Sequence, residues 1–201
     1  KAIRSAINLD PARADLRYNL ANVFKVAGDI DEAASAYEAA IDLLGDRAEV
    51  TYAPGYIVEA ETVDVALREE AQAVAAVADV AVVFIGLTEV FESEGYDRAH
   101  LGIPANHVAL LEAVREVQEK VVVVLSNGSP IAMPWLDHAD AVVEGYLGGQ
   151  AGGGAVVDVL FGEVNPSGKL AETFPRRLAD APAYLNFPGG ATQVVYGEGL
   201  H

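Results

Sequence analysis

Four acidic side chains lie within nine residues of one short segment, residues 88–101. They are Glu89, Glu92, Glu94 and Asp97. Crowded carboxylates raise one another's pKa, and a raised pKa is what a general acid needs near neutral pH. The same spacing is also typical of a solvated acidic loop, in which Asp97 and the neighbouring Arg98 only shape a turn. The spacing alone leaves both interpretations open.

A second candidate for chemistry is the glycine-rich run at residues 148–154, which lies between an apolar stretch and a helical pattern. Backbone amides in such a turn can hold a phosphate at the start of a helix. The run has neither the Gly-Lys-Ser/Thr ending of a P-loop nor the spacing of a dinucleotide-binding turn. We therefore interpret it as a tight strand-to-helix turn.

Other side chains suited to catalysis are scarce. The chain has no cysteine, which excludes disulfides, thiolate catalysis and zinc–sulfur sites. No serine lies in a Gly-x-Ser-x-Gly motif. None of the histidines has a metal-ligand spacing beside a carboxylate; they are His100, His107, His138 and His201. We therefore expect no metal and no cofactor. Trp135 fits equally well a core anchor or a stacking platform for a sugar.

The residues from 48 onward predict a layered α/β domain. Short Val-rich runs alternate with helical patterns, the former at 49–53, 80–86, 121–126 and 141–146 and the latter at 65–78, 104–118 and 155–161. This alternation predicts a mostly parallel sheet buried on both faces between helices, with residues 193–196 as a further edge strand. The acidic segment follows the run at 80–86, so it would lie at the carboxyl end of a strand, where open sheets bind ligands.

Residues 1–47 have a different pattern, with two helical stretches separated by Gly28-Asp29. The run from Ala6 to Pro11 recurs in outline thirty-four residues later. With this period the segment resembles a tetratricopeptide repeat. The resemblance implies an α-helical hairpin that binds a protein or peptide partner, with Asn22 and Lys25 on the exposed face. We place a domain boundary after residue 47.

The formal net charge of −17 argues against nucleic acid as a partner, because phosphate contacts need clustered Lys and Arg. It argues against an anionic membrane surface for the same reason. The longest apolar stretches, residues 80–87 and 121–125, are too short to span a bilayer, and the first residues lack the apolar core of a signal peptide. We expect a soluble protein and assign no compartment.

Several longer motifs follow one another along residues 49–201. They are Glu92-Ser93-Glu94-Gly95-Tyr96-Asp97-Arg98, Met133-Pro134-Trp135-Leu136, Gly149-Gln150-Ala151-Gly152-Gly153, Asn165-Pro166-Ser167-Gly168-Lys169-Leu170 and Thr173-Phe174-Pro175. In this order they resemble the C-terminal α/β-sandwich domain of glycoside hydrolase family 3 β-glucosidases. One departure is His107, which stands where the family usually has Gln.

The resemblance implies a retaining glycosidase, which works with two carboxyl groups about 5 Å apart. In the family an aspartate nucleophile comes from an N-terminal (β/α)8 barrel, and the glutamate acid/base comes from the domain that this chain resembles. Glu94 matches that acid/base and Glu92 is the second choice, while Asp97 and Arg98 would hold the loop and tune the acid.

This chain departs from the family pattern in that the barrel is absent from the sequence, and with it the nucleophile. We therefore expect no activity from the chain alone, and binding of a β-glycoside substrate only when a barrel is supplied. Two other interpretations stay open. The chain could serve as an interaction module through residues 1–47, or it could be an artificial chimera joined near Ala48, with an α/β domain incomplete at both ends.

Overall fold

The computed structural model describes residues 48–149, 152–190 and 192–195. The predicted tetratricopeptide-like helices of residues 1–47 lie outside this range and stay a prediction. The described residues belong to two compact units. The first, which we call the sheet unit, comprises residues 53–146 together with the described residues from 169 onward, and the second comprises 48–52 and the described part of 147–168.

The sheet unit is built on three strands, β1 (Ala81–Gly86), β2 (Val121–Ser126) and β3 (Ala141–Glu144). They pair in the order β1-β2-β3, and both pairings are parallel. Apolar β-branched runs suit strands in the interior of such a sheet. The parallel sheet with helices confirms the predicted α/β class. Because all three strands point the same way, their carboxyl ends meet at one edge.

Two helices cover one face of this sheet, α1 (Val65–Val77) and α2 (Ala105–Val117). The side chain of Asp64 begins α1 by accepting a hydrogen bond from the backbone N–H of Leu67 at 3.1 Å. The helices pack against each other and against the inward-facing strand residues. The buried core contains Ala71, Ala75, Val83, Ile85, Leu110, Leu111, Val114, Val121, Val123, Leu125, Ile131 and Trp135.

The prediction that the sheet is buried on both faces is wrong for β1. Its alternate residues Val82 and Phe84 are 40% and 51% exposed. The central strand β2 is different, because Val121, Val123, Val124 and Leu125 are all buried. Among the described residues of the sheet unit, β1 lies at the edge and carries its helices on one side only.

Two predicted strands and the predicted end of a third also differ from the structure. Residues 49–53 form no strand; they are followed by Pro54 and by Gly55, whose φ of 75° turns the chain. Residues 193–195 likewise form none. Strand β3 ends at Glu144 rather than at Tyr146, since Tyr146 has a φ of 47°, which a strand does not allow.

The second unit contains one described helix, α3 (Gly152–Leu160). It follows β3 along the chain, as the interpretation of the glycine-rich run required, and three glycines form its first turn. After α3 the chain turns at Gly162, whose φ is 73°, while the N–H of Glu163 bonds the carbonyl of Asp158 at 2.8 Å. No helix in the described ranges combines the length and the apolar character needed to cross a membrane.

Candidate active site

The candidate site lies at the carboxyl edge of the sheet, where the chain leaves β1 and β2 side by side. The last residue of β1 is Gly86, and a Cβ there would lie 2.0 Å from the carbonyl oxygen of Ser126. The next residue, Leu87, donates its N–H to the same carbonyl at 2.9 Å. Only glycine permits this approach, so the loops after the two strands begin in contact.

The segment after β1, residues 88–101, which we call the acidic loop, is folded on itself. The N–H groups of Phe91 and Glu92 both donate to the carbonyl of Thr88 at 2.9 Å. The hydroxyl of Tyr96 donates to the carbonyl of Glu89 at 2.8 Å and also contacts that of Val90. These contacts bend the loop so that residues 93–96 form its outermost turn, closed by a bridge between its first and last residues.

The side chain of Glu92 ties the acidic loop to the segment after β2. One carboxylate oxygen accepts the N–H of Gly128 at 2.6 Å, and the other accepts the hydroxyl of Ser129. Hydrogen bonds to a carboxylate are among the stronger ones in proteins. Both oxygens of Glu92 are therefore engaged by the protein itself.

Arg98 reaches the same segment from the other end of the loop. Its Nη2 donates to the hydroxyl oxygen of Ser129 at 2.9 Å and to the carbonyl of Pro130 at 2.8 Å. Asp97 is exposed and, within the described residues, forms no ion pair with Arg98. The turn-shaping pair of one of the two open interpretations does not form, because Arg98 points toward the segment after β2.

Glu94 lies between Ser93 and Gly95 in the outermost turn. Its side chain is exposed, and no described residue forms a hydrogen bond or ion pair with its carboxylate. The neighbouring Ser93 hydroxyl instead accepts the N–H of Gly95 at 3.3 Å. The two glutamates that the sequence singled out thus differ clearly: both oxygens of Glu92 accept hydrogen bonds, whereas the Glu94 carboxylate has no partner among the described residues.

A third glutamate, Glu144 at the end of β3, was missed by the sequence analysis. One of its oxygens accepts the N–H of Tyr146 at 2.7 Å, and the other accepts the Nδ2 of Asn127 at 3.4 Å. Burial raises the pKa of the Glu144 carboxyl, and the charge of Glu92 raises it further. The sequence did contain one signal that could have identified it, because Glu144 is an acidic residue near the end of a Val-rich run.

The histidines and Trp135 have structural environments. His107 is buried and packs against Tyr56, with ring centroids 3.9 Å apart and ring planes tilted by 46°. Burial lowers the pKa of His107 to about 4, against a smaller upward effect of the Gly86 backbone. Its Nδ1 accepts the N–H of Gly86 at 3.4 Å. Trp135 is only 2% exposed, which makes it a core anchor. In the described ranges, no three His, Asp or Glu side chains converge in a way that could hold a metal ion.

A shallow cavity of about 200 Å³ adjoins the acidic loop. The loop itself contributes part of the lining, and other walls come from Glu61, Leu87 and Pro104. The loop residues that line it include Phe91, Tyr96, Asp97, Arg98 and His100. Of the four predicted site residues, the structure therefore gathers Asp97 and Arg98 at this cavity, Glu92 at the segment after β2, and Glu94 at the exposed turn.

Comparison with known sequences gives one family. The sequence profile of the glycosyl hydrolase family 3 C-terminal domain matches residues 3–201. Thermostable beta-glucosidase B of Acetivibrio thermocellus is 58% identical over 156 residues, which are 78% of this chain and 21% of that protein. An exo-alpha-(1->6)-L-arabinopyranosidase of Bifidobacterium longum is 48% identical over 162 residues, which are 80% of this chain and 21% of that protein.

Solved structures agree with this result. A family 3 beta-glucosidase of Bifidobacterium adolescentis matches with a TM-score of 0.68 and 48% identity, over 78% of this chain and 23% of that one. A beta-glucosidase of Kluyveromyces marxianus, solved with glucose, matches with a TM-score of 0.60 and 40% identity, over 68% of this chain and 17% of that one. This chain spans about a fifth of the length of the relatives that it matches.

Proposed function

The chain belongs to glycoside hydrolase family 3, through its C-terminal domain, and on that basis we propose that it supplies the general acid/base, Glu94, of a retaining glycosidase. The observation that carries this proposal is the difference between the loop's two central glutamates. Both oxygens of Glu92 accept hydrogen bonds from residues 128–129, whereas the carboxylate of Glu94 has no partner in the described protein. A group that exchanges a proton with a substrate needs a free oxygen.

In this mechanism Glu94 acts twice. It first donates a proton to the glycosidic oxygen, so that the aglycone leaves as a neutral alcohol while a nucleophile attacks the anomeric carbon from the opposite face. The resulting Glu94 carboxylate then removes a proton from the water that hydrolyses the glycosyl–enzyme intermediate. The family resemblance assigns the nucleophile to an aspartate of an N-terminal barrel.

Glu92, Asp97 and Arg98 have supporting roles in this proposal. Glu92 and Arg98 fix the loop by bonding Ser129 from two directions. Asp97 lines the cavity beside the loop, within reach of a ligand bound there. The substrate class is a glycoside. Since similar relatives carry the names of a beta-glucosidase and an arabinopyranosidase, we assign the choice of sugar to the remainder of the protein rather than to this domain.

The first test uses the chain by itself with a nitrophenyl β-glucoside. We expect no release of nitrophenol above buffer, because retaining hydrolysis needs a second carboxyl group about 5 Å from the first. Turnover that Glu94→Gln abolished would show that the chain is a complete enzyme and would contradict this part of the proposal.

The second test supplies a barrel. The 156 residues of this chain that match the Acetivibrio thermocellus β-glucosidase replace their counterpart in that enzyme. In this hybrid, Glu94→Gln should lower kcat on glucosides with poor leaving groups by about 10²- to 10⁴-fold, the usual contribution of general acid–base catalysis. The matched control is Glu89→Gln, which removes the same charge from the same loop and should change kcat little.

A third measurement separates proton transfer from loop structure. For Glu94→Gly in the hybrid, a dinitrophenyl glucoside needs no acid to leave, and azide needs no base to attack. Azide should therefore restore turnover and yield a glycosyl azide. Rescue of Glu92→Gly in place of Glu94→Gly would assign the acid/base to Glu92.

A further inference from the structure

Glu92 and Glu144 contact the same short segment from two sides. Residues 127–130, which we call the β2 turn, follow directly on β2. The acidic loop reaches this turn through Glu92, while Glu144 reaches it from the end of β3 through Asn127. The shared turn therefore links the end of β3 to the loop that contains Glu94.

Asn127 is the centre of this link. It is fully buried, and its Nδ2 donates both to the carbonyl of Ser129 at 3.0 Å and to Glu144 at 3.4 Å. Its Oδ1 is buried and has no partner among the described residues. Since both neighbours of Nδ2 are acceptors, the side-chain amide has one satisfactory orientation, and that orientation closes the turn.

Glu144 must accept hydrogen bonds at both of its oxygens. The N–H of Tyr146 occupies one oxygen and the Nδ2 of Asn127 occupies the other, and both of these groups are donors. Only an ionised carboxylate accepts fully on both sides. A glutamine would present an NH2 group to one of the two donors, whichever way its amide turned.

We propose that Glu144 is a positioning residue for the acidic loop. Through Asn127 it orders the β2 turn, and the ordered β2 turn holds the side chain of Glu92, which lies two residues before Glu94 in the chain. The role of the loop in catalysis rests on the proposed function of Glu94, whereas the link from Glu144 to Glu92 does not. Loop order should then follow the ionisation of Glu144.

The charged and titratable groups around the turn are few among the described residues. Glu92 and Arg98 face it from the acidic loop, and Glu144 and the Tyr146 segment face it from the end of β3. Burial and the charge of Glu92 raise the pKa of Glu144, so this carboxyl takes up its proton at a higher pH than an exposed glutamate. Protonation replaces one acceptor by a donor and weakens the bond to Asn127.

Amide hydrogen exchange of the 201-residue chain measures this link without any substrate. The reporter is the N–H of Gly128, which donates to Glu92. We expect Glu144→Gln to accelerate its exchange roughly five- to tenfold, the effect of losing one hydrogen bond. The matched control, Glu89→Gln, removes a charge from the acidic loop itself and should leave Gly128 unchanged. Equal effects of the two variants, or none in Glu144→Gln, would overturn the proposal.

A second readout separates positioning from a general loss of stability. The urea midpoint of Glu144→Gln should be at least that of the native chain near neutral pH, because the variant no longer desolvates a charge at this half-buried position, even though Gly128 exchanges faster. Loss of stability in parallel with protection at Gly128 would overturn the proposal, since it would make Glu144 a merely structural residue.

The native chain provides the last measurement, which needs no variant to fold. As the pH is lowered, the Gly128 amide shift should change together with the side-chain carbon signal of Glu144. A Gly128 shift that does not follow the Glu144 signal would contradict the link. These outcomes are independent of the azide rescue, so the assignment of Glu94 and the role of Glu144 can fail separately.

Discussion

The helix-covered core of the sheet unit and the loops at its carboxyl edge are held together by different forces. In the core, Leu111, Val121, Val123 and Ile131 are fully buried among other apolar side chains. At the carboxyl edge, the acidic loop and the β2 turn are joined mainly by hydrogen bonds that the Glu92 carboxylate accepts and the Arg98 guanidinium donates. Burial of apolar surface is non-directional, whereas these bonds fix angles and distances.

The difference shows which part of the sheet unit its stability depends on. Removing a core side chain affects the whole unit, because the lost contacts are shared by helices and strands. A loop held by a few exposed or half-buried bonds can open locally while the core stays folded. Changes in the core should therefore lower the free energy of unfolding, and changes at the edge should alter loop geometry with little effect on it.

The largest effect is expected from the core. Leu111→Ala should lower the free energy of unfolding by about 2–5 kcal/mol, because it leaves a cavity in the buried core. The measurement is urea unfolding followed by circular dichroism, with Val77→Ala on exposed α1 surface as control. A loss under about 1 kcal/mol would mean that the core is packed more loosely than the structure indicates.

The second effect depends on pH and comes from His107. Its pKa is lowered to about 4 in the fold, so the unfolded chain takes up a proton first as the pH falls. The neutral, buried imidazole contributes stability that is complete above about pH 6.5 and is lost toward pH 4. This loss is at most about 3 kcal/mol, from 1.36 kcal/mol for each pKa unit.

His107→Gln offers a direct check, because glutamine accepts a hydrogen bond but does not titrate. It can keep the bond from the N–H of Gly86. The free energy of unfolding of this variant should vary less between pH 6.5 and 4 than that of the native chain. Identical pH profiles for the two chains would show that other groups control acid unfolding.

The third effect is expected at Glu92, whose hydrogen bonds join the acidic loop to the β2 turn. Glu92→Gln keeps one acceptor but turns the other oxygen into a donor, which faces either the N–H of Gly128 or Ser129. We expect a loss in global stability of no more than about 1.5 kcal/mol, together with much faster exchange of the Gly128 amide. If global unfolding and exchange changed in proportion, the loop would belong to the core's cooperative unit.

The smallest effect on stability is expected at Glu94 itself. Its carboxylate is exposed and without a described partner, so Glu94→Gln should leave the free energy of unfolding within about 0.5 kcal/mol of the native value. Urea unfolding of the chain checks this directly. A clear destabilisation would reveal a structural role and weaken the case for Glu94 as the acid/base.

The sequence was sufficient for the elements with strong patterns. The Val-rich run of β2 and the amphipathic run of α2 lie where they were predicted, within one residue. Elements whose structure depends on packing against distant parts of the chain were harder to predict. Residues 49–53 are Val-containing but have no strand partner, and the outward side of β1 is exposed although its apolar run resembles a fully buried strand. The spacing of apolar residues indicates which positions are apolar, but not whether another part of the protein covers them.

The candidate site likewise had a part that the sequence could predict and a part that it could not. The acidic loop and its position after β1 were predictable, because the order of strands and loops is local information. The separation of Glu92 from Glu94 was not, since it depends on Gly128 and Ser129, more than thirty residues away. Glu144 was missed for a related reason. Its environment arises from the parallel register that brings the end of β3 beside Leu125, and no spacing along the chain records that register.

The close approach at Gly86 has a practical consequence for protein engineering. A library that varies the acidic loop should keep residue 86 constant, because any added side chain meets the carbonyl of Ser126 at 2.0 Å. Variation at this position would move the starting points of both neighbouring loops at once. Clones selected from such a library would then confound altered recognition with a displaced scaffold, whereas a fixed glycine keeps each improvement attributable to the loop.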